Sequence, residues 1–206
     1  MQPIEYHLLP FVKRTVAVLA STTRYVLAAC AALALAELAL LPLRFPMAAI
    51  LCGLISSFLL PLGIALLAVL VAWCHAVLLA GQGMLLSRWL VRVGAGLAIF
   101  EPICRGYSCM TGRLLLYRQA ELPLILGVLI LGAALCNIPK MAAASWQLQV
   151  RVVVLPLLLL AAYCFDVPGG LVLCSVAKIL AAWVAAQPLR LLASYAPRII
   201  SMPEKD

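Results

Sequence analysis

Residues 45–87 contain no Asp, Glu, Lys or Arg, and this long uncharged run is the feature that most constrains the fold. Its conspicuously polar side chains are one His, one Gln and three Ser. Helices at the surface of a soluble protein keep a polar face, whereas helices in lipid are apolar all round. The run therefore predicts segments that lie in a bilayer.

The composition of the whole chain agrees with this interpretation. The 206 residues are 67% hydrophobic and 11% charged, whereas charged residues make up about a quarter of a globular protein. A transmembrane helix needs about 20 apolar residues. The sequence thus predicts an all-α integral membrane protein with about four to six transmembrane or re-entrant helices, several of them short or broken by Pro or Gly. We divide it into a basic N-terminal flank (1–24), a polytopic helical membrane domain (25–187) and a C-terminal tail (188–206).

The net charge of +8 comes from basic residues that mostly flank the apolar runs. Such positions set membrane topology and bring cations to lipid phosphates. Aromatic residues are not interleaved with them, so nucleic acid is not an expected partner. The expected partners are membrane lipids and the helices of other membrane subunits.

The first span is predicted at 25–43, and the uncharged run that follows is too long for one straight crossing. As one helix it would measure about 63 Å, roughly twice the hydrocarbon thickness of a bilayer. We expect a break at Pro61-Leu62-Gly63, which separates a short re-entrant or interfacial piece from a true span at 62–86. The alternative is that the run crosses the bilayer twice. Residues 89–104 are expected at the membrane interface and 105–121 in a loop.

The second half of the chain repeats this shape. A clean span is predicted at 122–138, and the apolar region 152–187 is interrupted at 166–170 by Asp-Val-Pro-Gly-Gly. Many transporters build their binding sites from such broken helices. The two long runs show no residue-level identity, so the likeness is one of shape.

Charged side chains inside apolar runs are candidates for function, because each must be paired, protonated or hydrated in lipid. Glu37 is expected either to pair with Arg44 or to lie on an ion or proton path, for which Arg92 is a candidate partner. Asp166 and Lys178 are expected either to pair across the break or to leave Asp166 at the surface. The full set of candidate intramembrane polar residues is Glu37, His75, Arg92, Glu101, Asp166 and Lys178.

Two features have structural rather than chemical interpretations. His75 is expected to be a satisfied membrane histidine, since the only other His, His7, lies in the N-terminal flank and haem usually takes two axial ligands. Two stripes of Ala four residues apart predict close helix packing, because small residues let helices approach in lipid. These stripes are Ala28, Ala32 and Ala36, and Ala177, Ala181 and Ala185.

Enzyme signatures are weak in this sequence. Six of the eight Cys lie within apolar runs, and Cys104 and Cys109 match no zinc or redox spacing, so no metal, cofactor or disulfide framework is expected. There is no phosphate loop, nucleophile elbow or His-rich cluster. The chain is therefore expected not to be an enzyme.

The sequence favours a non-catalytic, multi-pass subunit of a larger membrane complex, such as a respiratory-chain or ATP-synthase complex. The alternative is an ion- or proton-conducting or small-solute transporter subunit that uses the intramembrane charges, and the third possibility is a membrane enzyme. The acid-poor N-terminal region is compatible with import into an organelle and equally with a plain flank before a first span. The composition would suit a bacterial secretion or export assembly as well, and between the two locations we favour the mitochondrial inner membrane over the bacterial cytoplasmic membrane.

Overall fold

The computed structural model describes residues 4–43, 45–78, 85–112, 121–136, 146–164 and 170–200, and within these ranges every regular element is an α-helix. The predicted all-helical architecture is confirmed. The helices, in chain order, are α1 (Ile4–Leu40), α2 (Pro46–Leu78), α3 (Leu85–Thr111), α4 (Glu121–Cys136), α5 (Trp146–Cys164) and α6 (Leu171–Ile200).

Successive helices pack antiparallel to each other, and α6 closes the bundle against α1. Lys178, near the start of α6, contacts Glu37 near the end of α1 and Gly53 near the start of α2. Arg105, near the end of α3, lies over the ring of Tyr163 near the end of α5. These contacts define one end of the bundle, the Lys178 end. The opposite end, where α5 begins, is named the Arg151 end.

Among the described residues, three helices are long and apolar enough to cross a membrane, over Arg14–Leu40, Pro46–His75 and Leu171–Leu189. Helices α4 and α5 carry shorter apolar stretches, at Glu121–Ala134 and Val150–Tyr163. The first crossing segment begins within the predicted N-terminal flank, because α1 runs without interruption from Ile4.

The predicted break at Pro61 is wrong, because α2 continues through this residue as one helix. A proline has no N–H to donate to the carbonyl four residues earlier, which here belongs to Ser57. The guanidinium of Arg105 supplies the missing donor, with Nη1 at 3.0 Å from the Ser57 oxygen. A donor from a neighbouring helix thus allows α2 to cross the bundle once.

Two other helix boundaries determine where charged residues lie. Helix α3 extends to Thr111, so Arg105 lies in a helix and not in the predicted loop. Helix α5 ends at Cys164 and α6 begins at Leu171, on either side of the predicted interruption. Asp166 lies outside the described residues.

The crossing of α3 and α4 depends on two glycines. A Cβ at Gly127 would lie 2.7 Å from both the Gly94 oxygen and the Ala98 nitrogen, and a Cβ at Gly94 would lie 3.0 Å from the Gly127 oxygen. The two backbones therefore touch without intervening side chains. By contrast, a Cβ at Gly96 would meet no atom within 4 Å.

We predict that Gly127→Ala destabilises the protein by about 1–3 kcal/mol, since the new methyl group forces α3 and α4 apart. Gly96→Ala is the matched control, because the same substitution there enters open space and improves helix propensity. Thermal unfolding of both variants in detergent, followed by circular dichroism, checks this. Equal melting temperatures would contradict the described crossing.

Candidate functional site: two buried ion pairs packed against helix α2

The ammonium group of Lys178 joins three helices in the interior of the bundle. Its Nζ lies 3.3 Å from Glu37 Oε2 on α1, and 3.2 Å from both the Gly53 carbonyl oxygen and Ser56 Oγ on α2. Lys178 and Glu37 are 3% and 4% exposed, and Ser56 is fully buried. The Ser56 hydroxyl in turn donates to the Gly53 oxygen at 2.9 Å. We call these four residues the lysine cluster.

Small residues create the space for this cluster. A Cβ at Gly53 would lie 2.8 Å from Cδ of Glu37, so a side chain at this position would displace the carboxylate from its place against α2. Ala177 and Ala181 flank Lys178 on α6 and are 3% and 0% exposed. Because these side chains are short, α6 approaches its neighbours closely enough for the lysine to reach both.

All three N–H donors of the Lys178 ammonium have an acceptor. A lysine ammonium has three N–H donors, and three acceptors surround Nζ. Burying a charge costs several kcal/mol per ion, and pairing with added hydrogen bonds offsets this cost. The arrangement therefore fixes the relative positions of α1, α2 and α6.

A second buried ion pair is formed by two residues of α3. It contacts α2 at Ser57, one helical turn after Gly53. Arg105 Nε is 2.6 Å from Glu101 Oε1, with the two side chains 3% and 0% exposed. The same guanidinium bonds the Ser57 carbonyl and lies 5.6 Å from the centroid of the Tyr163 ring, which is within range of a cation–π contact. We call Glu101, Arg105, Ser57 and Tyr163 the arginine cluster.

Two buried polar atoms in and beside the arginine cluster lack a hydrogen-bond partner in the part of the chain that the structure describes. Glu101 Oε2 is buried and has no hydrogen-bond partner among the described residues, and the same holds for the hydroxyl of Ser108. Glu101, Arg105 and Ser108 are spaced four and three residues apart, so they share one face of α3. An unpaired buried carboxylate oxygen is costly, which makes it a place for a proton or a water molecule.

The structure gives Glu37 a partner that the sequence did not suggest. Its carboxylate binds Lys178, which is 141 positions away, whereas Arg92 is exposed on α3 and Arg44 lies outside the described residues. The ammonium of Lys178 is surrounded by Glu37, Gly53 and Ser56. Its alternative partner Asp166 lies outside the described residues, so that pairing stays a prediction. The chain folds back on itself, so charges from opposite ends of the sequence meet.

The remaining polar candidates lie apart from the lysine cluster. His75 is 6% exposed and lies about 29 Å along α2 from Ser56, towards the Arg151 end. Glu101 belongs to the arginine cluster. Sequence reasoning missed several members of the two clusters, although the four-residue spacing of Glu101 and Arg105 is a signal of an intrahelical pair. The missed residues are Gly53, Ser56, Ser57, Arg105 and Tyr163.

The two alanine stripes lie in different surroundings. Ala177, Ala181 and Ala185 are buried against neighbouring helices. Ala28 and Ala32 are exposed and Ala36 is half-buried, so the first stripe is not in the core of this chain. Helix α1 instead buries the side that carries Glu37, whose pairing with Lys178 sets the rotation of the helix. The buried members of that side are Thr23, Leu27, Cys30, Ala34 and Glu37.

In comparisons with known proteins, no family model, curated protein or solved structure matches this chain significantly. Among the described residues, no group of three or more His, Cys, Asp and Glu side chains is placed to hold a metal ion. The candidate site therefore consists of the lysine cluster and the arginine cluster.

We predict that Lys178→Met destabilises the fold by about 3–5 kcal/mol, because it leaves the Glu37 carboxylate buried without its cation. The double variant Lys178→Met/Glu37→Gln should recover most of this loss, since no net charge then remains in the interior. Unfolding by denaturant in detergent micelles measures both. Arg92→Gln, which removes an exposed cation, is the control and should match the wild type.

The role of Arg105 at the proline leads to a separate prediction. In the charge-neutral background Glu101→Gln/Arg105→Met, the Ser57 carbonyl has lost the hydrogen bond from Arg105. Adding Pro61→Ala supplies a backbone N–H at position 61, which can bond this carbonyl and should stabilise the fold by about 1 kcal/mol. In the wild type, where Arg105 already bonds this carbonyl, the same substitution should gain less. A double-mutant cycle on unfolding free energies measures the difference, and a coupling energy of zero would exclude the proposed replacement.

Proposed function

We propose that this chain is an integral membrane protein whose helical bundle lies in the bilayer, with α1, α2 and α6 as its crossing helices, and that it serves as a non-catalytic subunit of a larger membrane complex. The distribution of its side chains carries the proposal. Large apolar side chains are exposed on every helix, while both described ion pairs are buried. Exposed examples are Tyr25, Leu54, Phe100, Leu122, Leu157 and Trp183.

This surface is suited to acyl chains and unsuited to water. A soluble monomer seldom exposes more than a few hundred Å² of continuous apolar surface. Here Leu54 is 65% exposed and Trp183 is 60% exposed. In lipid, such side chains need no further cover, and the buried charges contribute to specific helix association.

The distribution of basic residues supports an orientation. Four arginines lie on the halves of α1, α3 and α5 that belong to the Arg151 end, namely Arg14, Arg88, Arg92 and Arg151. Loops on the cytoplasmic or matrix side of a membrane carry an excess of Lys and Arg. We therefore assign the Arg151 end to that side, in the mitochondrial inner membrane favoured by the sequence, with the start of α1 and the end of α6 on it.

Exposed small residues support the role as a subunit. Ala28 and Ala32 on α1 face outwards, as does Gly96 on α3. Small residues at a lipid-facing surface let a partner helix approach closely, and van der Waals packing then drives association. The fully paired ammonium of Lys178 fits a fixed scaffold, because breaking this pair would leave a buried charge.

Proton or ion conduction is the second candidate, and the arginine cluster is the observation that favours it. Glu101 Oε2 and the Ser108 hydroxyl are buried and without hydrogen-bond partners in the described part of the chain. A carboxylate in this situation is a candidate proton carrier. The charge-neutral variant Glu101→Gln/Arg105→Met distinguishes the two candidates, because it removes the carboxylate without leaving a buried charge. It would abolish flux in reconstituted vesicles if the chain conducts, and would leave flux unchanged if the chain is a scaffold.

We predict that the protein remains in washed membranes after alkaline carbonate treatment and co-purifies with other membrane proteins in mild detergent. Ala28→Leu/Ala32→Leu should abolish this co-purification, because the larger side chains block close helix approach. Ala133→Leu, an exposed alanine on α4, is the matched control. Release of the protein from membranes by alkaline carbonate would refute the membrane assignment. If Ala28→Leu/Ala32→Leu co-purifies with the same proteins as the wild type, the proposed contact surface on α1 is refuted.

A further inference from the structure

A narrow apolar cleft lies between four helices towards the Arg151 end. Its cavity measures about 80 Å³ and is lined by residues of α2, α4, α5 and α6. The walls include Ile64, Val71, Val128, Leu155 and Val184. The cleft is therefore a space for hydrocarbon.

Arg151 is the one charged side chain among the residues that line this cleft. It lies five positions after the start of α5 and is partly exposed. Pro188, near the end of the apolar segment of α6, lines the same region. The cleft thus has an apolar interior and one guanidinium. This guanidinium lies near the point where the apolar segment of α6 ends.

An open groove along α1 has a similar lining. Its residues all belong to this one helix and are Phe11, Val18 and Leu19 together with Arg14 and two threonines. The groove belongs to the same end of the bundle, because only the C-terminal half of α1 reaches the Lys178 end. A cleft and a groove at one end therefore each combine apolar side chains with a single arginine.

We propose that the four-helix cleft binds an anionic phospholipid, with a segment of one acyl chain in the cavity and the phosphate against Arg151. This inference rests on the proposed membrane location. A guanidinium binds phosphate through parallel hydrogen bonds as well as by charge. A partner helix, with a diameter of about 10 Å, is too wide for a cavity of this size, whereas a hydrocarbon chain is narrow and flexible.

The test uses the full-length protein, delipidated in detergent and titrated with phosphatidylglycerol or phosphatidylcholine of the same chain length. Native mass spectrometry counts the lipids bound. One basic residue near an anionic headgroup should favour phosphatidylglycerol by about fivefold. Arg151→Gln should remove this preference, and Arg92→Gln, an exposed arginine on α3, should keep it.

A second variant tests the hydrocarbon part of the site. Ala68 lines the cleft and is 2% exposed, so Ala68→Leu fills part of the cavity and should weaken the binding of both lipids. A melting temperature close to that of the wild type shows that this variant is folded; if it is not, Arg151→Gln alone decides. Equal binding of the two lipids by the wild type, or an unchanged preference in Arg151→Gln, would overturn the inference. Either result leaves the membrane assignment intact if the protein resists carbonate extraction.

Discussion

The lysine cluster imposes the strictest constraint on this structure, because a lysine ammonium must be satisfied wherever it is buried. Nζ of Lys178 finds acceptors on α1 and α2 at 3.2–3.3 Å. These two helices and α6 must therefore hold one relative position. Apolar surfaces alone specify helix rotation poorly, since a helix that is apolar all round has no preferred face. The buried charges supply the directional contacts.

Helix α2 is the element on which both clusters meet. The carbonyls of Gly53, Ser56 and Ser57 accept hydrogen bonds from Lys178, Cys30 and Arg105, which belong to three other helices. This segment precedes Pro61, whose missing N–H leaves the Ser57 carbonyl without its helical partner. The part of α2 that lacks a helical hydrogen bond is thus also the part that three other helices contact. A change at either ion pair therefore acts on the same stretch of the α2 backbone.

The two clusters differ in what they leave unused. The ammonium of Lys178 uses all three of its donors, which suits a permanent structural contact. The arginine cluster leaves Glu101 Oε2 and the Ser108 hydroxyl without partners among the described residues. In the proposed membrane location, the first cluster fits the scaffold and the second is where proton chemistry would occur if the protein conducts. Lipid and partner helices would occupy other surfaces, at the Arg151 end and on α1.

The sequence by itself determined the helical class, the interruption between α5 and α6, and the short list of charged residues that apolar segments have to accommodate. These follow from local composition and from proline and glycine. Only the tertiary structure decided that Glu37 pairs with Lys178 and that α2 continues through Pro61. Both outcomes depend on donors that lie far away in the chain, Lys178 for the carboxylate and Arg105 for the Ser57 carbonyl. An apolar run has no periodic pattern of polar residues from which such partners could be deduced.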